Sequence, residues 1–245
     1  MADAPLMPRS VGRRDRAMFS LELLQAISDW QRGGDLKQKA RRGKRLKALS
    51  EALDPEFRET SLCCFRQISL DKGFLWKLGD KLHLKEDISS WTLVTDVAKE
   101  FKGGPPAEGW QGVIFEFVPE GSQVILNIDA LFRDPRFLEA CEAAKGDVIG
   151  YYEGIGQYGR SQREVVLEVE SLPIEAVYAL GGHSSTKESL AGMYFGREPN
   201  AGELEFFNSL LVRSKARFGP VWVTGDAMKR VMSQIFKQIE VMQNL

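Results

Sequence analysis

The sequence predicts an α+β protein, with helices towards both ends of the chain and short strands between them. Near the start, Leu21, Leu24 and Ile27 recur at the spacing of one helical face. Between residues 61 and 180 the apolar runs are short, and Gly and Pro separate them, which is typical of strands joined by turns. Helical spacing returns after residue 204. This segregation of helices and strands favours the α+β class.

The N-terminal part is predicted to be helical after a disordered start. Residues 1–16 are polar and basic, which is typical of disorder. One helix is predicted from Ser20 to Trp30 and a second from Lys37 to Leu53, with a break at Gly33-Gly34 between them. The predicted domains are therefore a disordered N-terminus (1–16), a basic helical lobe (17–58) and a main domain (59–245).

The main domain is predicted to contain a hairpin, several further strands and four helices. The segments Val113–Val118 and Gln123–Ile128 flank PEGS, which indicates a β-hairpin. Asp134-Pro135 is typical of a helix start, with the aspartate as cap and the proline in the first turn. After Gly181-Gly182 the chain is predicted to become helical again, and the methionine-bearing face of the last helix is predicted to be core, with a partner-binding face as the alternative. Ile88–Thr92 is predicted to be a polar turn or strand, and Trp76–Leu84 a weak strand or loop. The other predicted elements are strands at Ser61–Ile68, Val165–Val169 and Ala176–Leu180, and helices at Thr95–Phe101 (with Thr95 as N-cap), Leu204–Arg217 and Ala227–Met242.

Composition excludes several classes of protein. The chain has 245 residues, of which 43% are hydrophobic and 27% charged, and these are ordinary values for a globular protein. No apolar run is long enough to span a bilayer. Of the three cysteines, Cys63 and Cys64 are adjacent and Cys141 is distant, so neither a disulfide framework nor a zinc site is predicted. We expect a protein of a reducing compartment, without a metal.

Positive charge is concentrated at the start of the chain. Residues 1–48 hold twelve Lys and Arg against five Asp and Glu, although the net charge of the whole chain is −1. The dense part is the run KQKARRGKRLK, which predicts a surface for nucleic acid or an acidic partner. The alternative is a solvated helix face. The basic residues of the run are Lys37, Lys39, Arg41, Arg42, Lys44, Arg45 and Lys47.

A candidate site lies where the glycine-rich loop GIGQYGR meets the apolar strand that begins near Glu164. Gln162 and Glu164 are two residues apart, and residues two apart on a strand point to the same side. Both side chains are therefore expected to reach one site, after a supple loop that carries Tyr158. The alternative is a polar strand edge with a solvated carboxylate.

Three separated motifs, taken in order, resemble the R-S-E class of ADP-ribosyltransferases, the clade that includes clostridial and cholera-like toxins. The first is Arg66 within the strand FRQI, and the third is QRE after the glycine-rich loop. The second is ISSWT followed by VTDVAKEF, in which Ser90, Trp91 and Thr92 stand at the family's Ser-Thr-Ser. Trp91 departs from that pattern. The resemblance covers roughly residues 61–180 and leaves the N-terminal and C-terminal helices unmatched.

The resemblance implies a split β-sandwich that wraps NAD in a cleft, with an added N-terminal helical lobe and C-terminal helices. NAD is then a substrate, and no metal is needed. Glu164 would stabilise the cation that forms as the glycosidic bond breaks, and Ser90 would hydrogen-bond Glu164. Gln162 would orient the acceptor, and Tyr158 would contact it. The residues implied for NAD are Arg66, Ser90, Trp91 and Thr92.

The resemblance also suggests what the protein acts on. Gln-x-Glu is more frequent than Glu-x-Glu in members that modify acceptors other than arginine. We therefore expect the acceptor to be a protein that is modified at a residue other than arginine. The resemblance implies a toxin or effector that works in the cytoplasm of its own or a target cell, and we expect no membrane partner. An antitoxin or chaperone is a possible partner. The alternatives are transfer to RNA or DNA, a catalytically silent relative that serves as an interaction module, and a function located in the basic helical start.

Overall fold

The computed structural model describes residues 18–71, 81–107, 110–183, 187–214 and 220–243. Within these ranges helices and strands are both abundant, so the predicted α+β class is confirmed. The predicted disordered segment 1–16 and most of the segment Trp76–Leu84, predicted as a weak strand or loop, lie outside the described residues.

The helices and strands are numbered in chain order. The helices are α1 (Leu21–Gln31), α2 (Leu36–Ser50), α3 (Thr95–Glu100), α4 (Ile128–Leu131), α5 (Pro135–Ala144), α6 (Ile155–Tyr158), α7 (Lys187–Phe195), α8 (Ala201–Arg213) and α9 (Gly225–Gln243). The strands are β1 (Cys64–Asp71), β2 (Lys81–His83), β3 (Ile88–Thr92), β4 (Trp110–Phe117), β5 (Val124–Asn127), β6 (Glu164–Glu168), β7 (Ser171–Pro173), β8 (Val177–His183) and β9 (Pro220–Val223).

The chain forms two compact units, each assembled from several segments. The first unit comprises the described residues of Met1–Cys64, Leu84–Leu93 and Val118–Glu170. The second comprises those of Phe65–His83, Val94–Phe117 and Ser171–Leu245. Because the chain passes repeatedly from one unit to the other, residues close in sequence often belong to different units.

The first unit is built on three strands in the order β5-β6-β3. Strand β6 is central and pairs antiparallel with both neighbours. Its pairing with β3 is regular, with Ile88 opposite Glu168 at one end and Thr92 opposite Glu164 at the other. The second and third motifs of the sequence therefore lie on adjacent strands.

Helix α1 belongs to the core of this unit and does not form a separate lobe. Its apolar residues, including Leu24 and Ile27, are buried in one cluster with Leu126 and Val166 of the sheet. The sequence predicted residues 17–58 as an added lobe, because two amphipathic helices precede the β-rich region. In the structure their apolar faces instead cover the strands of the first unit. Burying that area keeps the helices on the sheet.

Local sequence explains the boundaries of α1 and α2. Ser20 caps α1 by accepting a hydrogen bond from the backbone N–H of Leu23 at 3.2 Å. Asp35 and Gln38 form a reciprocal capping box at the start of α2. Between the helices, Gly33 and Gly34 have φ values of 70° and 132°, which side chains other than glycine rarely adopt. The predicted break at Gly33-Gly34 is therefore confirmed.

The second unit contains four strands in the order β1-β4-β8-β9, and a separate antiparallel pair of β2 with β7. Strand β8 continues through Gly181-Gly182, whereas the sequence predicted that this strand ends at Leu180. Position 181 requires a glycine, because the indole of Trp222 on β9 occupies the space that a Cβ there would need. The same ring lies 2.9 Å from the position of a Cβ at Gly112. Gly181 and Gly112 therefore allow the large ring of Trp222 to pack closely against the strands.

Two further predictions differ from the structure. The hairpin around PEGS does not form, because β4 pairs with β8 and β5 pairs with β6. Thr95 is the first residue of α3 and not its cap; Val94 holds the cap position without a side-chain hydrogen bond. The predicted core role of the methionine-bearing face is confirmed for Met228 and Met232 of α9, which are buried.

Candidate active site

The candidate site of the first unit is built around the start of β6. Glu164 is the first residue of this strand, and Thr92, the last residue of β3, is its cross-strand neighbour. The residues before Glu164 form the turn that brings the chain into the strand. This turn, Gln162–Glu164, is the segment that the sequence identified as the third motif.

The turn holds a backbone conformation that is costly for its central residue. Arg163 has φ = 47°, in the left-handed region that non-glycine residues seldom occupy. Gln162 therefore lies outside the strand, and the expectation that Gln162 and Glu164 share one strand face is wrong. Two hydrogen bonds from β3 and the residue that follows it fasten the turn. Thr92 Oγ1 donates to the Gln162 carbonyl at 2.7 Å, and the Leu93 N–H donates to the Arg163 carbonyl at 3.1 Å.

A buried aspartate holds the side chain of Arg163. Asp129, in the first turn of α4, is ion-paired with Arg163 and also with Arg133. Its side chain is only 8% exposed, whereas the two arginines are 42% and 58% exposed. The carboxylate is thus shielded from water while both cations remain partly hydrated. Asp129 therefore holds the side chain of the strained residue just before the chain enters β6.

Glu164 itself is buried beneath the end of helix α1. Its side chain is 2% exposed. The indole N–H of Trp30 donates to Oε1 at 2.9 Å, and the carboxamide of Gln31 donates to Oε2 at 2.9 Å. A carboxylate in this position is satisfied within the protein, as buried charges must be.

Sequence reasoning missed Trp30 and Gln31. A partial signal was present for Trp30, because an indole on the apolar face of a helix usually finds an acceptor when it is buried. Nothing in the sequence pointed to Glu164 as that acceptor, since 134 positions separate the two residues. Gln31 follows Trp30 at the polar end of the helix and carries no pattern of its own.

The predicted members of the second motif divide between exposed and buried positions. Ser90 is exposed and lies opposite Val166, two positions along the strand from Thr92. Two hydrogen bonds to the Glu164 carboxylate come from α1, and the bond from Ser90 that the resemblance implies stays a prediction. Trp91 is buried, and its indole N–H donates to the hydroxyl of Ser89 at 3.1 Å. Thr92 is buried and fastens the turn.

The glycine-rich loop before the turn is packed, contrary to the expectation of a supple segment. Residues Ile155–Tyr158 form a helical turn, and Tyr158 is half-buried at its end. A Cβ at Gly154 would overlap the backbone of Ser28 on α1, and one at Gly159 would overlap the ring of Phe132. The glycines therefore allow close approach to neighbouring elements.

Arg66 lies in the second unit, on strand β1, and is half-buried. The adjacent Gln67 donates to the carbonyl of Gly104 at 2.9 Å, which ties the strand to the loop after α3. Arg66 is an internal position of the strand, as the sequence predicted.

The basic run on α2 is less available than the sequence suggested. Lys39 pairs with Glu86 at 2.9 Å, and Lys47 pairs with Glu168. Arg42 donates to the carbonyl of Gly33, and Arg45 lies 3.9 Å from Asp29. Within the described part of the chain, three exposed cations of the run have no ion-pair partner, and these are Lys37, Arg41 and Lys44.

Two of the cysteines are buried, neutral thiols. Burial raises the pKa of Cys64 to about 12, with a further contribution from the neighbouring Cys63. Burial also raises the pKa of Cys141 to about 12. Since the thiolate is the reactive form, neither of these two thiols is a nucleophile at neutral pH.

Comparison with family models, with curated proteins and with solved structures found no match to this chain. Across the described residues, every helix is too short or too polar to cross a bilayer. The functional assignment therefore depends on the residues of the site and on the motifs they form.

Proposed function

We propose that this protein is an NAD-dependent mono-ADP-ribosyltransferase of the toxin or effector type, which transfers ADP-ribose to a macromolecular acceptor. The observation that carries the proposal is the strained turn Gln162–Glu164, which contacts with Thr92, Leu93 and Asp129 fasten. A residue in a costly conformation persists only where its surroundings hold it, and such residues cluster at functional sites. The resemblance to the R-S-E class assigns the catalytic residues to this same turn.

The proposed reaction needs a negative group beside the ribose. The bond between C1′ and the nicotinamide nitrogen breaks, and the nitrogen keeps the electron pair and leaves as neutral nicotinamide. The acceptor nucleophile then bonds to C1′ and loses its proton. Positive charge develops on the ribose in between, and a preorganised carboxylate stabilises it. Glu164 supplies that charge. The assignment of Arg66 to the pyrophosphate of NAD stays a prediction from the resemblance.

Gln162 is proposed to orient the acceptor. It is half-buried beside the carboxylate strand, and a carboxamide can donate and accept hydrogen bonds but cannot act as a base. We propose a protein acceptor other than arginine, as the Gln-x-Glu pattern suggests. Lys37, Arg41 and Lys44 favour an acidic acceptor surface, which in the alternative proposal is RNA or DNA.

A second candidate function follows from the burial of Glu164. A carboxylate that is 2% exposed and bonded to two internal donors is typical of a structural anchor. If Glu164 only fastens α1 to the sheet, the chain is a silent relative that serves as an interaction module.

One experiment separates these functions. Purified protein is incubated with NAD labelled in the adenylate part, with and without a cell lysate that has been divided into untreated, nuclease-treated and protease-treated portions. Label on a protein band that resists nuclease supports the proposal. Label that disappears with nuclease selects nucleic acid as the acceptor. Absence of both transfer and nicotinamide release would contradict the enzyme and favour the silent relative.

A further inference from the structure

The contact between Gln31 and Glu164 differs in character from the contact between Trp30 and Glu164. Trp30 is 7% exposed and packed, with its ring 3.1 Å from the position of a Cβ at Gly43. Its indole therefore cannot turn without repacking the core. Gln31 is half-buried, is the last residue of α1, and precedes Gly33 with its positive φ. Its flexible side chain can leave while the helix stays in place.

In its contact with Glu164, which we call the closed position, the Gln31 carboxamide satisfies only one of its two ends. The amide nitrogen donates to Glu164 Oε2, and this fixes the orientation of the carboxamide. The other end, Oε1, is then buried and has no donor within the described part of the chain. A hydrogen bond to a carboxylate and the penalty of a buried acceptor without a donor are of similar size. The closed and open positions of this side chain are therefore close to balance.

We propose that Gln31 is a removable cover of Glu164, and that a hydroxyl donor of the substrate takes over its hydrogen bond to Oε2. Trp30 keeps its own hydrogen bond to Oε1 and holds the carboxylate in place. This inference rests on the proposed function, in which the donor is a ribose hydroxyl of NAD. It also reconciles a buried carboxylate with a reaction, because one side chain and not a core helix has to move.

The proposal predicts that removal of the cover helps binding. A substrate that binds only the open form has its apparent affinity reduced by the open fraction. If the open form is roughly a tenth to a half of the population, Gln31→Ala lowers the KM for NAD about two- to tenfold. The value of kcat stays unchanged, because the same open site performs the reaction.

The test uses the full chain and two readouts. The first is modification of Glu164 by a water-soluble carbodiimide with an amine, followed by peptide mass spectrometry, which needs no NAD. The second is the KM for NAD in nicotinamide release. Gln25→Ala is the matched control, because Gln25 lies on the same helix but contacts Asp29 and Ile149. A second variant, Gln31→Ser, also removes the carboxamide and is expected to open the site in the same way.

Faster modification of Glu164 and a lower KM in both Gln31 variants, with Gln25→Ala unchanged and all melting curves intact, are the expected results. Unchanged modification in both Gln31 variants would overturn the cover. Faster modification with an unchanged or higher KM would overturn the claim that substrate replaces Gln31. If the wild type neither binds nor cleaves NAD, the proposed function fails, and the modification readout alone still decides whether Gln31 covers Glu164.

Discussion

The strained turn predicts that glycine is better than alanine at position 163. With φ = 47°, an L-residue at this position costs about 1–2 kcal/mol relative to a right-handed conformation. Glycine avoids that cost but loses about 0.5–1 kcal/mol through the larger freedom of the unfolded chain. The free energy of unfolding of Arg163→Gly should therefore be roughly 0.5–1 kcal/mol higher than that of Arg163→Ala, so the glycine variant is the more stable one.

Arg133 provides a matched control for this comparison. It pairs with the same carboxylate, Asp129, but its φ is not positive. Both substitutions at Arg133 lose an ion pair with a partly exposed guanidinium, as do those at Arg163, so the loss of the pair cancels. At position 133, the free energy of unfolding of Arg133→Ala should exceed that of Arg133→Gly by about 0.5–1 kcal/mol.

The assay is urea unfolding of the four variants, followed by far-ultraviolet circular dichroism. The difference between the two positions, each taken as glycine minus alanine, should be about 1–2 kcal/mol. This quantity isolates the backbone strain of the turn. A glycine variant at position 163 that is less stable than the alanine variant by the same margin as at Arg133 would refute the strain and the argument built on it.

Three further predictions concern the loop, a helix start and the acceptor. Gly159→Ala should destabilise the protein by about 1–3 kcal/mol, because the added methyl group overlaps the ring of Phe132; an unchanged melting temperature would contradict this packing. Arg136 holds the pKa of Asp134 below its usual value by hydrogen bonding, so this carboxylate stabilises the fold above about pH 4 and loses its contribution as the pH falls through the lowered pKa. Asp134→Ala should accordingly cost about 1 kcal/mol at pH 7, and the gap to wild type should narrow in thermal melts at low pH. Gln162→Ala should lose transfer to the acceptor but keep slow nicotinamide release, and parallel loss of both in a folded variant would exclude an acceptor-positioning role.

The sequence was most informative where local chemistry decides the structure. Helix α5 begins at the predicted Asp134-Pro135, since a capping aspartate and a proline with a fixed φ act on the adjacent residues alone. Helices α1, α2 and α9 were found from their apolar spacing. The strand position of Glu164 was also predicted correctly to within one residue.

Non-local pairing explains the main failures. The segments around PEGS have the composition of a hairpin, yet β4 and β5 take partners that are distant in sequence. Strand β8 was predicted to end at Leu180, because the use of Gly181, contact with the indole of Trp222, depends on a strand some forty residues later. Periodicity reports which face is apolar but not what covers it.

In the candidate site too, features set by local sequence were predicted and features set by distant contacts were not. The three motifs and the importance of the QRE turn were available from the sequence. The left-handed conformation of Arg163, its anchor Asp129 and the two donors to Glu164 were not, because each depends on an element that packs from elsewhere in the chain. Gln162 and Glu164 do not share a strand face, because the strand begins only at Glu164 and Gln162 lies in the turn before it.

The most direct test of the account is the rate of nicotinamide release from NAD by wild type, Glu164→Gln and Glu168→Gln. Glu168 is the matched control, since it lies on the same strand and is held by Lys47 on α2. We predict that Glu164→Gln, shown to be folded by its circular dichroism, releases nicotinamide about 10²–10³-fold more slowly than wild type, because a preorganised charge facing the developing cation is removed. Glu168→Gln should retain the wild-type rate. Equal rates for wild type and Glu164→Gln would contradict the proposed site.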